Sequence, residues 1–130
     1  MIPGIVLALA VGACSDEGDP TDPGIGDGPV TFSGTIQPIF NARCTDHHGP
    51  GGSGGLNLRE GSSYDNLVGT DSPNYSAPRV AKGDPDASVL YNKVAGTGVF
   101  GQQMPDGQAP LSSAQIGAIR TWIADGAERN

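Results

Sequence analysis

Glycine and proline fill 22 of the 101 positions from Val30 to Asn130, and this density sets the first limit on the fold. Glycine loses more backbone freedom on ordering than any other residue, while proline removes a donor and blocks a helix interior. Regular elements must therefore be short and the connections between them long. The same stretch holds all seven aromatic residues of the chain: Phe32, Phe40, Tyr64, Tyr75, Tyr91, Phe100 and Trp122. That is little apolar bulk for a domain of this size. Small domains that cannot fill a core with their own side chains rely on disulfides, a metal or a cofactor for the missing contacts. With Cys14 and Cys44 the only cysteines, a disulfide framework is not the expected answer.

The first 29 residues read differently from the rest. Residues 2–13 form an apolar run of twelve, too short for a bilayer, which needs about 20 residues, and matching the core of a signal peptide. The run ends in Val11-Gly12-Ala13-Cys14, which resembles the lipobox of bacterial lipoproteins. The resemblance implies cleavage before Cys14 and acylation of its thiol. Residues 15–29 then carry seven glycines or prolines and five acids with no base, a solvated linker composition. The expected organisation is a signal peptide with lipobox over 1–14, a flexible acidic linker over 15–29, and one domain over 30–130. It implies a lipid anchor on Cys14 that holds the domain to a membrane of the cell envelope, periplasmic or on the outer membrane. In the plainer alternative the signal is simply secretory and Cys14 is incidental. Most of the net charge of −7 sits in the linker; the domain has nine acids, seven bases and no basic stripe, so nucleic acid is not an expected partner.

Within the domain the apolar spacing is helical and short. Ile36, Ile39 and Phe40 predict one face of a helix over Thr31–Ala42, with Ser33 or Thr35 as caps and Pro38 in its first turn. A second short helix is expected over Ser63–Val68, stopped by Gly69, and a third from the Asp84-Pro85 cap through Val89, Leu90 and Val94 to Gly96. The last is the clearest. Ser112 and Gln115 form a capping box, Leu111 and Ile116 a staple, and Ile116, Ile119, Trp122 and Ile123 share one face before Gly126. No stretch alternates as a strand does, so the fold class is all-α with long loops over Gly49–Gly55 and Gly96–Pro110.

Chemistry concentrates after the first helix. Cys44-Thr45-Asp46-His47-His48 supplies a thiol and imidazoles, and Met104-Pro105 lies in the long loop before the last helix. Cysteine, histidine and a distant methionine form a soft ligand set. Around them stand Ile36-Gln37-Pro38-Ile39-Phe40, Arg43-Cys44-Thr45, His48-Gly49, Gly55-Leu56-Asn57-Leu58, Gly83-Asp84-Pro85-Asp86-Ala87-Ser88, and the ending Ile119-Arg120-Thr121-Trp122-Ile123-Ala124-Asp125-Gly126-Ala127. In this order the stretch from Phe32 to Asn130 resembles a bacterial c-type cytochrome domain, class I-like and lipoprotein-anchored. The resemblance implies a cytochrome c-like fold, with short N- and C-terminal helices and long loops around one haem. It also implies Cys44 as a haem thioether, His48 as proximal iron ligand, Met104 as distal ligand, and a redox partner protein. His47 occupies the place of the family's second haem cysteine, giving Cys-x-x-His-His, so the expected haem c has at most one thioether.

The function implied is extracytoplasmic electron transfer, not catalysis; no nucleophile triad, phosphate loop or paired carboxylates occur. Two alternatives stand beside it. One is a haem-free, cytochrome-derived structural or interaction module. The other is a mononuclear copper protein using Cys44, His47, His48 and Met104, the donor types of a type 1 centre.

Overall fold

The last helix, α4, spans Ser113–Ala124 and is framed as the capping signals require. In the computed structural model, which describes residues 28–130, Ser112 Oγ accepts from Gln115 N–H at 3.1 Å and Gln115 Oε1 accepts from Ser112 N–H at 3.0 Å. Two orphan donors of the first turn are thus satisfied reciprocally. At the other end Gly126 takes φ +112 and Ala127 N–H returns to Trp122 O at 2.8 Å. The expected signal segment with Cys14, and all but the last two residues of the expected linker, lie outside the described residues.

The expected first helix is not one α-helix. A π-helical turn, Phe32–Ile36, leads into α1, Gln37–Arg43. Thr31 is its cap, where Ser33 or Thr35 was expected: Thr31 Oγ1 accepts from Gly34 N–H at 3.0 Å. Pro38 has no N–H to give, and its ring would crowd the Gly34 carbonyl in a continuous α-helix; the wider turn lies just ahead of it. The short α2, Ser63–Leu67, ends where Val68 turns extended.

The third expected helix is also broken. A 3-10 turn, Pro85–Ala87, capped by Asp84, is separated from α3, Val89–Ala95, by an extended Ser88. The fully buried Ser88 hydroxyl accepts from Ala81 N–H at 2.8 Å and donates to Asp84 O at 2.9 Å. These local and non-local bonds outcompete the helical path. Among the described residues there is no strand, only isolated bridges at Val68–Val80 and Asp71–Pro78; the fold is all-α. No described helix is long and apolar enough to cross a membrane.

Four of the seven aromatics meet where the π turn packs against α4. Phe32 stands 5.2 Å from both Trp122 and Tyr64, ring centre to ring centre, and 6.3 Å from Phe40. Such pairs each add about 0.5–1.5 kcal/mol beyond area burial. Their polar tips are tied to the end of the chain: Tyr64 donates to Ala127 O at 2.7 Å and Trp122 Nε1 to Glu128 O at 2.9 Å. Ile36, Ile39, Ile119 and Ile123 are fully buried around this contact. Replacing Ser112 by Ala removes one arm of the capping box and is expected to lower the unfolding free energy by about 1 kcal/mol. Urea denaturation checks this, with the exposed Ser113→Ala as a control expected to stay within about 0.5 kcal/mol of the parent.

Candidate functional site

The end of α1 winds the Cys44–His48 segment into a hydrogen-bonded turn. Cys44 N–H donates to Phe40 O at 2.9 Å, and the Cys44 carbonyl accepts from both His47 N–H, at 3.2 Å, and His48 N–H, at 3.0 Å. Adjacent side chains on such a turn diverge. His48 is half-buried and lines the main cavity of this face, whereas His47 is exposed and lines only a smaller, adjoining one. The glycine-rich loop folds back on this turn through Ser53 N–H to His47 O at 3.1 Å and Leu58 N–H to His48 O at 2.7 Å. A Cβ on Gly52 would lie 2.5 Å from His47 O, so the close approach of loop and turn requires glycine at this position.

Met104 arrives from the other direction. Its N–H donates to Lys93 O at 3.0 Å, and Gln103 Nε2 donates to Val94 O at 3.1 Å. The orphan carbonyls at the end of α3 therefore anchor the loop that carries the methionine. Gly96, at φ +68, closes the helix and leaves room for the Gln103 side chain, which a Cβ would meet at 2.7 Å.

Cys44, His48 and Met104 thereby line one cavity of about 250 Å³, walled by Leu56, Leu58, Leu67, Leu90 and Val94. The cavity is open to solvent on one side, and its lining is mostly apolar. The adjoining cavity, about 120 Å³, shares Cys44, His48 and Met104 and adds His47, Arg43 and Asp106.

The electrostatics separate the donors. Burial pushes the Cys44 thiol from 9.0 to about 11, against the pull of the Arg43 charge, so at neutral pH it is a thiol and not a thiolate. His48 is lowered from its ordinary value, first by burial and then by the charges of His47, Lys93 and Arg79, with the Ser53 backbone acting in the opposite direction. A neutral imidazole is the ligand form. Its Nδ1 is buried with no hydrogen-bond partner, and an orphaned buried nitrogen in a native fold points to a missing partner. The copper alternative needs Cys44, His47 and His48 to converge. Among the described residues no group of three His, Cys, Asp or Glu side chains is placed to hold a metal ion.

Sequence reasoning did not single out the two cations on the main cavity wall, Arg79 and Lys93. The available signal was an arginine set between Pro78 and Val80 with its nearest acids at Asp71 and Asp84.

No protein-family model matches the chain, and no curated protein matches it. Among solved structures, the chain is similar to Kuenenia stuttgartiensis hydrazine synthase, at 22% identity and a TM-score of 0.53. The match covers 75% of this chain and 16% of that one. At that identity the likeness concerns the fold alone, and the chain spans about a sixth of the hydrazine synthase chain.

The burial of Cys44 has a measurable consequence. In haem-free protein, thiol alkylation mapped to the Cys44 peptide is expected to be slow at pH 8 in the native state and fast in urea, with the native rate climbing as the pH approaches 11. Because folding raises this pKa, its contribution to stability is complete below about pH 9 and is lost as the pH rises through about 11. Denaturant midpoints at pH 8 and pH 11, compared with those of Cys44→Ala, check the sign.

Proposed function

We propose that this protein is an extracytoplasmic electron carrier of cytochrome c type, with one haem held by Cys44, His48 and Met104. The observation that carries the reading is that these three side chains, from segments 60 residues apart, line a single apolar cavity. The donor chemistry fits the group. Cys44, whose thiol is protonated at neutral pH, would hold the group covalently as a thioether. His48 supplies an imidazole with an unpartnered nitrogen, and Met104 a thioether that favours ferrous iron and raises the potential relative to a second histidine. The bound haem would supply one-electron redox chemistry. The leucine and valine walls would shield it from water, and Met104 would supply a thioether ligand beside the imidazole of His48, which favours a carrier over an enzyme. In this reading the partner is another redox protein, and a lipid anchor on Cys14 keeps the domain at the envelope membrane.

His47 distinguishes this chain from a two-thioether cytochrome. Its side chain is exposed beside the smaller cavity, so it takes no place in the main cavity that a second cysteine would serve. The full chain, made in a periplasm with a cytochrome maturation system, is expected to give a Soret band and a pyridine haemochrome α band shifted to the red of a two-thioether cytochrome. Acid and organic solvent should leave the haem on the chain and extract it from Cys44→Ala. Met104→Ala should lose the weak far-red band of iron–thioether ligation and lower the potential. The alternative, a haem-free cytochrome-derived module, rests on the same His47. Colourless wild-type protein beside a haem-loaded His47→Cys variant would establish that alternative in place of electron transfer.

A further inference from the structure

We propose that Arg43 is a positioning residue for Met104: it latches the loop that carries the methionine to the helix end that carries Cys44, and so sets how readily another ligand takes the methionine's place. The role of Met104 as the displaced ligand rests on the haem reading above, while the latch itself stands on the protein's own hydrogen bonds.

The loop after Met104 has little to hold it. Residues 106–110 are all exposed, and Pro105 and Pro110 have no N–H to donate. Within the loop, Gln108 N–H reaches Pro105 O only at 3.4 Å, and Gln102 Nε2 donates to Asp106 Oδ1 at 3.1 Å. The near end is fixed by Met104 N–H on Lys93 O at 3.0 Å, and the far end by Leu111, which is buried in the core. Between those two points one tertiary hydrogen bond among the described residues reaches the loop: Arg43 Nη2 donates to Ala109 O, across 66 residues of sequence.

Arg43 is placed for this by α1, whose last residue it is. Its backbone is therefore set by the helix, and its side chain is half-buried. No ion pair competes for the guanidinium, since the ion pairs among the described residues are Arg120–Asp86 and Arg129–Asp65. Cys44 follows directly. One helix end thus brings Cys44 to the cavity through the backbone and holds the Met104 loop through a side chain, and Arg43, Cys44, Met104, Pro105 and Asp106 meet around the smaller cavity. The Gln102–Asp106 bond brackets Met104 from both sides, so the methionine follows the loop when the latch opens. A guanidinium on a carbonyl is a charge-assisted bond, stronger than a neutral pair, and its exposure to water makes its opening frequent enough to measure.

Two measurements on the full chain separate the latch from the haem reading. The first uses protein made in the cytoplasm without haem and follows amide hydrogen exchange by NMR. Because Met104 N–H is bonded to Lys93 O, its exchange reports the opening of the loop. Arg43→Gln is expected to speed it about fivefold, with the amide of the buried Ile119 in α4 unchanged, and Arg43→Lys, which keeps a charged donor, should recover part of the protection. Arg120→Gln, which removes the Asp86 ion pair, is the control and should leave the Met104 amide as it is. The second measurement titrates the haem-loaded chain with neutral imidazole and follows the loss of the far-red iron–thioether band. The added ligand binds only where the loop is open, so its apparent affinity should rise in Arg43→Gln by the same factor as the exchange rate. Unchanged exchange at Met104 would overturn the latch. Faster exchange with unchanged imidazole affinity in loaded protein would overturn the positioning of the methionine. Faster exchange in a chain that takes up no haem under cytochrome maturation would support the latch and overturn the haem reading.

Discussion

The contact between Phe32 and Trp122, 5.2 Å between ring centres, is the joint on which this small fold depends. It packs the π turn against α4, draws in Phe40 from α1 and Tyr64 from α2, and uses four of the seven aromatic side chains in one place. What remains for the cavity on the other side is leucine, valine, loop backbone and a single aromatic, Tyr75, whose ring lies 5.6 Å from that of Phe100. A chain with so many glycines and prolines can fill one core well, and here it fills this joint and leaves a hollow beside it.

That hollow gathers its chemistry from both chain directions. The far end of α1 leads into the turn that presents Cys44 and His48, while the carbonyls of Lys93 and Val94 hold the loop that presents Met104. Each donor is therefore tied to a helix end by backbone hydrogen bonds and not left on a free loop. A porphyrin seated there would bury apolar area at about 25 cal/mol per Å², the contact the aromatic-poor sequence cannot make for itself.

Much of this was legible in the sequence where the signals are local. The Ser112–Gln115 box, the apolar face of α4, the short helix after Ser63, and the long loop carrying Met104 all follow from spacing and capping residues. The convergence of Cys44, His48 and Met104 was implied by a resemblance, and no local rule would have brought them together. The breaks in the first and third helices were not legible. Ser88 leaves the helix because Ala81 offers its N–H from seven residues upstream, and the π turn before Pro38 was hidden behind ordinary helical spacing. Arg79 escaped notice for the same reason: its place on the cavity wall becomes visible only once Asn66 and Gly54 are found beside it.

The central claim is that Cys44 carries a haem. It is tested most directly by the intact mass of the mature chain under denaturing conditions, after expression with a cytochrome maturation system, followed by fragmentation to the modified residue. The account predicts a mass increased by one haem, carried on the peptide that contains Cys44 and absent from Cys44→Ala. A wild-type chain at its unmodified polypeptide mass, aside from any lipid on Cys14, would contradict it.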